Sequence, residues 1–230
     1  MSYKIKPHTA NFKMGISNPA QFEEWLSAHP DIIGISMVGR SNVGKSSIIN
    51  SLFGSKTARV SKTPGRTREI NIFEFELSLN GKKSELPPFY LIDLPGYGFA
   101  EVSKDMSKNW DELMGAFFAH LSPAMMLINL QDARHPNQDA DKQFHKFLKT
   151  FTRNAILVFN KIDKLKTQKE RAVLEKLKPS LSKEYKWIRQ MYFASAETKK
   201  GLIEVEDAII AHLLEELELR KSDRIVDSDE

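Results

Sequence analysis

The stretch Gly39-Arg40-Ser41-Asn42-Val43-Gly44-Lys45-Ser46-Ser47 constrains this chain more than any other. It completes a G-x-x-x-x-G-K-S pattern, and its flanks are the ones that pattern needs. Ile32–Val38 ahead of it is short, apolar and rich in β-branched residues, as a buried parallel strand is. Ser47–Phe53 behind it spaces apolar residues like one face of a helix. Strand, glycine loop and helix in that order let backbone N–H groups wrap a phosphate while the new helix turns its positive end to the same anion. In this reading Gly39, Arg40, Ser41, Asn42, Val43, Gly44, Lys45, Ser46 and Ser47 form the cradle. Lys45 reaches the terminal phosphates, and the Ser46 hydroxyl binds Mg²⁺.

Further motifs fall at the ends of other expected strands. Asp93-Leu94-Pro95-Gly96 follows the apolar run Phe89–Ile92, where Asp93 can hold Mg²⁺ through water and the Gly96 N–H can meet a γ-phosphate. Asn160-Lys161-Ile162-Asp163 follows Ala155–Phe159. The Asp163 carboxylate can take both guanine donors, Asn160 can bind base and loop, and the Lys161 stem can cover the ring. Phe193-Ala194-Ser195-Ala196 closes the last strand, where backbone N–H groups could touch the guanine carbonyl. Thr67 lies in a basic loop after the first helix, and its hydroxyl can complete the Mg²⁺ shell only when γ-phosphate is present. Each short motif alone is common; their shared order and spacing is that of a guanine-nucleotide switch.

A chain of 230 residues, 41% hydrophobic and 28% charged, suits one α/β domain with a sizeable core. No apolar run reaches the length of a membrane span, and Met1-Ser2-Tyr3-Lys4-Ile5-Lys6 lacks a signal-peptide core. The absence of cysteine excludes a disulfide, a thiolate metal site and a cysteine nucleophile, and it fits a cytoplasmic location without a membrane partner. The net charge of +4 is uneven. Between Ser55 and Arg68 stand five basic residues (Lys56, Arg59, Lys62, Arg66 and Arg68) and no acidic one, and Lys161–Lys178 adds a second lysine-rich stretch.

Residues 1–30 read as an N-terminal extension with a short helix, capped by Asn18 ahead of Pro19 and apolar at Phe22, Trp25 and Leu26. Phe73–Leu79 alternates like a half-exposed strand, Asn80-Gly81 is a hairpin signal, and Phe89–Ile92 is the expected antiparallel return. Beyond it, buried strands at 125–128, 155–159 and 191–194 alternate with helices near 104–121, 137–150, 167–182 and 202–219. That alternation predicts an α/β fold: a mostly parallel six-stranded sheet with one antiparallel strand and helices on both faces. Residues 220–230 read as an acidic, mobile tail.

With these motifs the chain resembles the EngB (YihA) family of bacterial TRAFAC GTPases, with their Ras-like P-loop domain over residues 31–219. The likeness rests on the 39–47 loop, on Ser61-Lys62-Thr63-Pro64-Gly65-Arg66-Thr67, on Asp93-Leu94-Pro95-Gly96-Tyr97-Gly98, and on Asp132-Ala133-Arg134-His135-Pro136 followed by Asp139 and Asp141. It implies GTP and GDP as ligands, Mg²⁺ as cofactor, and Gly65, Arg66, Thr67, Arg68 and Glu69 among the residues at the nucleotide. It also implies a role in large ribosomal subunit assembly, with subunit precursors and ribosomal RNA as partners, and a link to normal cell division and septation. A monomer is expected. Two departures stand out: Asn160 replaces a threonine common in the family, and Phe117–Leu121 lacks an arginine expected nearby.

The catalytic candidates are Lys45, Thr67 and Asn42. Tyr97 occupies the place where many GTPases carry a water-orienting glutamine, so intrinsic hydrolysis is expected to be slow. Asn42 could recruit K⁺ beside the phosphates or serve only the loop's own backbone; Arg66 could act as a finger in cis. Against an enzyme that times ribosome assembly stands a GTP-dependent binding module at the division site, its hydrolysis incidental. A small-molecule kinase lacks an arginine-rich lid segment, and N-K-x-D argues for guanine.

Overall fold

The computed structural model describes residues 2–58, 69–98, 104–151, 154–186 and 188–226. In chain order the elements are β1 (Tyr3–Ile5), β2 (Asn11–Ile16), α1 (Pro19–Ala28), β3 (Gly34–Gly39), α2 (Lys45–Phe53), β4 (Ile70–Phe75), β5 (Leu77–Leu79), β6 (Lys82–Lys83), β7 (Phe89–Asp93), α3 (Lys104–His120), β8 (Met125–Asp132), α4 (Asp139–Leu148), β9 (Ala155–Asn160), α5 (Gln168–Glu184), β10 (Ile188–Phe193) and α6 (Leu202–Val226). The main sheet runs β10-β9-β8-β3-β7-β4-β2. β3, β7, β8, β9 and β10 are parallel, and β4 runs against both of its neighbours.

The sheet has seven strands rather than the six expected. The extra one is β2, drawn from the first thirty residues and paired with β4. Its sequence hides it: as an edge strand it exposes Asn11, Phe12 and Lys13 in succession, and its register shifts between Phe12 and Met14. The hairpin at Asn80 and Gly81 also differs from expectation. Both residues have positive φ, 51° and 79°. They join β5 to β6 in a separate three-stranded sheet with β1, not β4 to β7. β4 and β7 do pair antiparallel, through the excursion that this small sheet forms.

Strand alternation divides the core. Ile35, Met37, Ile156 and Val158 face α2 and α6, packing with Ile48, Ile49, Leu52, Phe53, Val205 and Ile209. Val38, Ile92 and Leu127 face the other way, toward Phe22 and Trp25 of α1, Phe117 and Phe118 of α3, and Phe144 of α4. Leu157 and Phe159 continue that second face beneath Leu174 and Leu181 of α5. The last helix extends through Val226, into residues that composition alone assigns to a mobile tail. Arg220 ties it down by donating to the carbonyl of Asp31 and, at 3.0 Å, to that of Ile32. Among the described residues no helix is long and apolar enough to cross a membrane.

Asn18 caps α1 by accepting from the Gln21 N–H at 3.1 Å, with Pro19 at the first helical position. The helix then buries Phe22 completely, its ring 5.2 Å from that of Phe117. Phe22→Ala is expected to cost about 3–5 kcal/mol through lost burial and the cavity left behind. Urea unfolding measures it, and a loss under about 1 kcal/mol would show that α1 is not part of the folded core.

Candidate functional site

Parallel strands deliver their C-terminal ends to one edge of the sheet, which makes that edge the natural place for a ligand. Register aligns the motifs there: Met37 of β3 lies opposite Asp93 of β7, Gly39 opposite Leu130 of β8, and Asp132 of β8 opposite Asn160 of β9. The 39–47 loop therefore stands between the Asp93 segment on one side and the Asp132 and Asn160 segments on the other.

Two glycines of the loop are there for space. A Cβ on Gly39 would lie 2.7 Å from the Leu130 carbonyl oxygen, and one on Gly44 would meet the Asn160 amide nitrogen. Gly44 also sits at φ 94°, where side chains are strained. It precedes Lys45, the first residue of α2, whose opening N–H groups point into the loop with the positive end of the helix. Asn42, exposed and at φ 66°, holds the other left-handed corner, a conformation asparagine tolerates better than most residues. Val43 is buried beneath, while Ser41, Ser46 and Ser47 are partly exposed.

The Lys45 ammonium ion-pairs with Asp93, whose carboxylate is buried at the end of β7. Leu94 N–H donates to the Met37 carbonyl at 3.0 Å, continuing the β3–β7 pairing past the strand end. The 93–96 turn is zipped further to the cradle: Ser41 N–H donates to the Tyr97 carbonyl at 3.2 Å, and Tyr97 N–H to the Gly39 carbonyl at 3.3 Å. A Cβ on Gly96 would sit 3.1 Å from the Gly39 oxygen, so that approach is close. Pro95 lies between Leu94 and Gly96.

The second half of the site is built around Asn160. Its amide donates to the Val43 carbonyl at 2.9 Å and accepts from the Ala196 N–H at 3.1 Å, stitching three loops into one. Lys161, at φ 69°, sends its ammonium to the Asn42 carbonyl and, at 2.9 Å, to Asp132. Burial opposes ionisation of Asp132, but hydrogen bonds from Arg134 and Lys161 overcome it and hold its carboxyl well below the usual range. Asp163 accepts from the Ser195 hydroxyl at 2.6 Å, and Ser195 Oγ in turn takes the Thr198 N–H at 3.0 Å. Burial would raise the Asp163 pKa, yet the bonds from Ser195 and Lys164 outweigh it and keep the carboxylate an ionised acceptor. Ala194 N–H donates to the Phe159 carbonyl and Ile162 N–H to the Ala194 carbonyl, which brings the two segments side by side. Ile162 packs toward α5, and the Phe193 ring stacks on Phe159 under the Lys178 ammonium, leaving its backbone as the part nearest the site.

Arg40 turns away from the cradle opening. Its Nε donates to both oxygens of Asp141, at 2.9 and 3.0 Å, and its Nη2 to the His135 carbonyl at 2.8 Å. Tyr97 does the same: its hydroxyl donates to Asp141 at 2.9 Å and accepts from Asn129 at 3.2 Å, and its ring stacks on Phe144 at 4.3 Å. Tyr97 is thus a buried strut, not a residue free to handle water. Burial pushes the Asp141 pKa up despite the pull of the Arg40 charge. Asp141 and Asp132 are the functional-site residues to which sequence reading assigns no task. The signal is present, since both stand in the segment from Asp132 to Asp141 that carries the family likeness.

Gly65, Arg66, Thr67 and Arg68, together with Arg59 and Lys62, lie outside the described residues. Glu69 is described; it is exposed beside Gly15 of β2. Ser46 and Asp93 supply hard oxygen donors of the kind Mg²⁺ takes when phosphate oxygens and water complete its shell, so the donor set at the cradle fits that ion.

Known proteins resemble this chain over most of its length. Residues 34–161 match the family model described as 50S ribosome-binding GTPase. The chain is similar to a probable GTP-binding protein EngB from Prosthecochloris aestuarii, 38% identical over 180 residues, covering 78% of this chain and 86% of the relative. A second, from Natranaerobius thermophilus, is 42% identical over 148 residues, covering 64% of this chain and 72% of the relative. A crystal structure of a probable GTP-binding protein engB superposes with a TM-score of 0.57 at 23% identity, covering 79% of this chain and 99% of that one. A structure of Era with MgGDPNP and nucleotides 1506–1542 of 16S ribosomal RNA superposes with a TM-score of 0.62 at 23% identity. It covers 79% of this chain, which spans 57% of that chain's length. At such identities these superpositions speak to the fold.

Asp141→Asn puts an amide N–H where a donor now points and leaves the Arg40 charge, 20% exposed at its side chain, without its counter-ion. The change is expected to cost about 3–5 kcal/mol. A urea midpoint equal to that of the unmodified chain would remove Asp141 as the anchor of the cradle and the 93–97 turn.

Proposed function

The chain belongs to the EngB family of GTP-binding proteins, and on that premise we propose that it is a slow, Mg²⁺-dependent molecular switch for large ribosomal subunit assembly. It binds GTP and hydrolyses it. One observation carries the assignment of the base: Asn160, Asp163, Ser195 and Ala196 form a single hydrogen-bonded unit against the phosphate loop. In it Asp163 is an ionised acceptor at the surface of the cleft, matched to the two adjacent donors of guanine.

The mechanism follows from the residues. Backbone N–H groups of 41–46 cradle the phosphates, and Lys45 leaves Asp93 for the terminal phosphate oxygens as negative charge builds there. Ser46, with Asp93 through water and Thr67 in the GTP state, would hold Mg²⁺, which would supply neutralisation of the phosphate charge. Gly96 presents its N–H toward the γ-phosphate from a turn pinned at Tyr97. Because the Tyr97 hydroxyl is spent on Asp141 and Asn129, the side chain that follows Gly96 does not orient the attacking water, and unassisted turnover is slow.

The partner reading rests on the family description, on Era's bound ribosomal RNA in a neighbour of similar fold, and on the charge of the 56–68 loop. Of that loop's basic residues Lys56 is described, exposed at φ 73°. The reading extends to action as a monomer in the cytoplasm and to support of normal cell division and septation.

Asp163→Asn faces guanine donors with a mismatched amide and is expected to weaken GTP by about 3–5 kcal/mol while improving xanthosine triphosphate. Equal affinity of the unmodified protein for ATP and GTP would defeat the assignment. Sedimentation with large ribosomal subunits is expected to be stronger with a non-hydrolysable GTP analogue than with GDP, and to fall steeply with salt. Equal sedimentation in the two nucleotide states would overturn the switch.

A further inference from the structure

The positive charge of the chain is concentrated in one stretch. Residues 139–200 carry sixteen Lys and Arg against seven Asp and Glu; the remainder of the chain carries eighteen against twenty-three. The structure gathers much of this excess on one face. α4 and α5 lie side by side on the sheet, joined where the His145 ring stacks on that of Tyr185 at 3.8 Å and the Tyr185 hydroxyl donates to Asn137 at 2.8 Å. Burial pushes the His145 pKa down to about 3, so this joint is neutral and the charge of the face comes from its lysines.

Those lysines form two stripes. On α5, Lys169, Lys176 and Lys183 recur every seven residues on the side opposite the buried Leu174 and Leu181, and all three are exposed. On α4 and its C-cap, exposed Lys142, Lys146 and Lys149 follow one another at spacings of four and three. At about 100° per residue they lie further round the helix from Asp141, on the same side as His145, which faces α5. Some of the nearby charge is compensated: Lys142 pairs with Asp139 at 3.2 Å, Lys178 with Glu175 at 3.4 Å, and Glu170 caps its own helix through Thr167. Among the described residues, no ion pair engages Lys146, Lys149, Lys169, Lys176 or Lys183. Two helices about 15 and 25 Å long with such stripes present an extended array of mobile ammonium groups, with nothing shaped for one particular side chain.

We propose that the α4–α5 face is a second RNA-binding surface, which grips the phosphate backbone of duplex RNA without reading its sequence and without regard to the bound nucleotide. It rests on the ribosomal reading above for its partner but not on the switch. A polyanion with regularly spaced phosphates matches the lysine stripes, and flexible ammoniums suit a backbone better than they suit a folded acidic protein. Indifference to nucleotide comes from position. The three α5 lysines lie on the side of the helix opposite the buried Leu174 and Leu181, and none of them makes an ion pair or hydrogen bond with a described residue of the nucleotide site. The face would hold the protein on RNA throughout the cycle, and the 56–68 loop would add a GTP-dependent contact.

The test uses the full chain, a fluorescein-labelled 20-base-pair RNA duplex and fluorescence anisotropy, with GDP and with a non-hydrolysable GTP analogue. The triple variant Lys169→Glu, Lys176→Glu, Lys183→Glu is expected to weaken duplex binding at least tenfold in both nucleotide states. Its GDP affinity should be unchanged, because none of the three touches the nucleotide site. Replacing the same three with alanine should lower the slope of log Kd against log salt by about two or more, since each phosphate contact contributes just under one. Lys82→Ala with Lys83→Ala, an exposed pair on β6, should leave both readouts unchanged. Unaltered binding by the charge-reversed triple would overturn the proposal. So would an equal loss in the Lys82 and Lys83 variant, a loss confined to one nucleotide state, or competition by poly-glutamate as strong as that by unlabelled duplex. A loss of GTP-dependent sedimentation with subunits alongside intact duplex binding would count against the switch alone.

Discussion

Everything at the functional edge hangs on the amide of Asn160. One side chain, fully inside the fold, gives its N–H to the Val43 carbonyl of the phosphate loop and takes the N–H of Ala196 from the loop after β10. A buried amide must satisfy both ends, and here each end is satisfied by a different loop. The three loops are therefore one mechanical object. The glycine at position 44 is a consequence, because any Cβ there would occupy the space of that amide. A threonine in place of Asn160 would keep one donor and one acceptor on a shorter stem, so the choice of asparagine sets how far apart these loops stand.

Around that junction the charges are arranged in pairs. Lys45 rests on Asp93, and Lys161 rests on Asp132 and the Asn42 carbonyl. Asp132 is held strongly ionised by Arg134 and Lys161 together, which fixes the Lys161 stem along the side of the base site rather than leaving it to wander. The two lysines differ in what a nucleotide asks of them. In the proposed site Lys45 would exchange a carboxylate for phosphate, at a cost set by its desolvated partner. Lys161 can keep its carboxylate and still lay its methylenes against a ring.

The parallel half of the fold and the nucleotide motifs are legible in the sequence because their signals are local and strong. Apolar runs such as Ala155–Phe159 end directly in polar loops, and the glycines mark places where backbones touch. The antiparallel edge is not legible. Asn11–Ile16 exposes its first three residues and carries a register shift, so neither apolarity nor alternation marks it as a strand. Asn80-Gly81 reads correctly as a turn, but sequence cannot say which two strands a hairpin joins when a third, β1, arrives from 74 residues away to pair with one of them. Asp141 is hard to assign for another reason. Its partners Arg40, Tyr97 and Gln138 span the chain, and a buried carboxylate announces itself only once those donors are seen together.

That carboxylate also decides the fate of Tyr97. Where a glutamine beside the γ-phosphate would need freedom to swing toward water, this chain turns the side chain inward and commits it to Asp141, Asn129 and the Phe144 ring. The residue before it, Gly96, is correspondingly fixed, with backbone bonds from 97 to both Gly39 and Ser41. Rigidity thus extends one residue past the D-x-x-G turn, and the first left-handed residue, Gly98 at φ 75°, comes immediately after. In the proposed switch such a layout separates sensing from catalysis: Gly96 would offer the γ-phosphate a pre-set N–H, while the group that speeds hydrolysis would come from another part of the chain or from a partner.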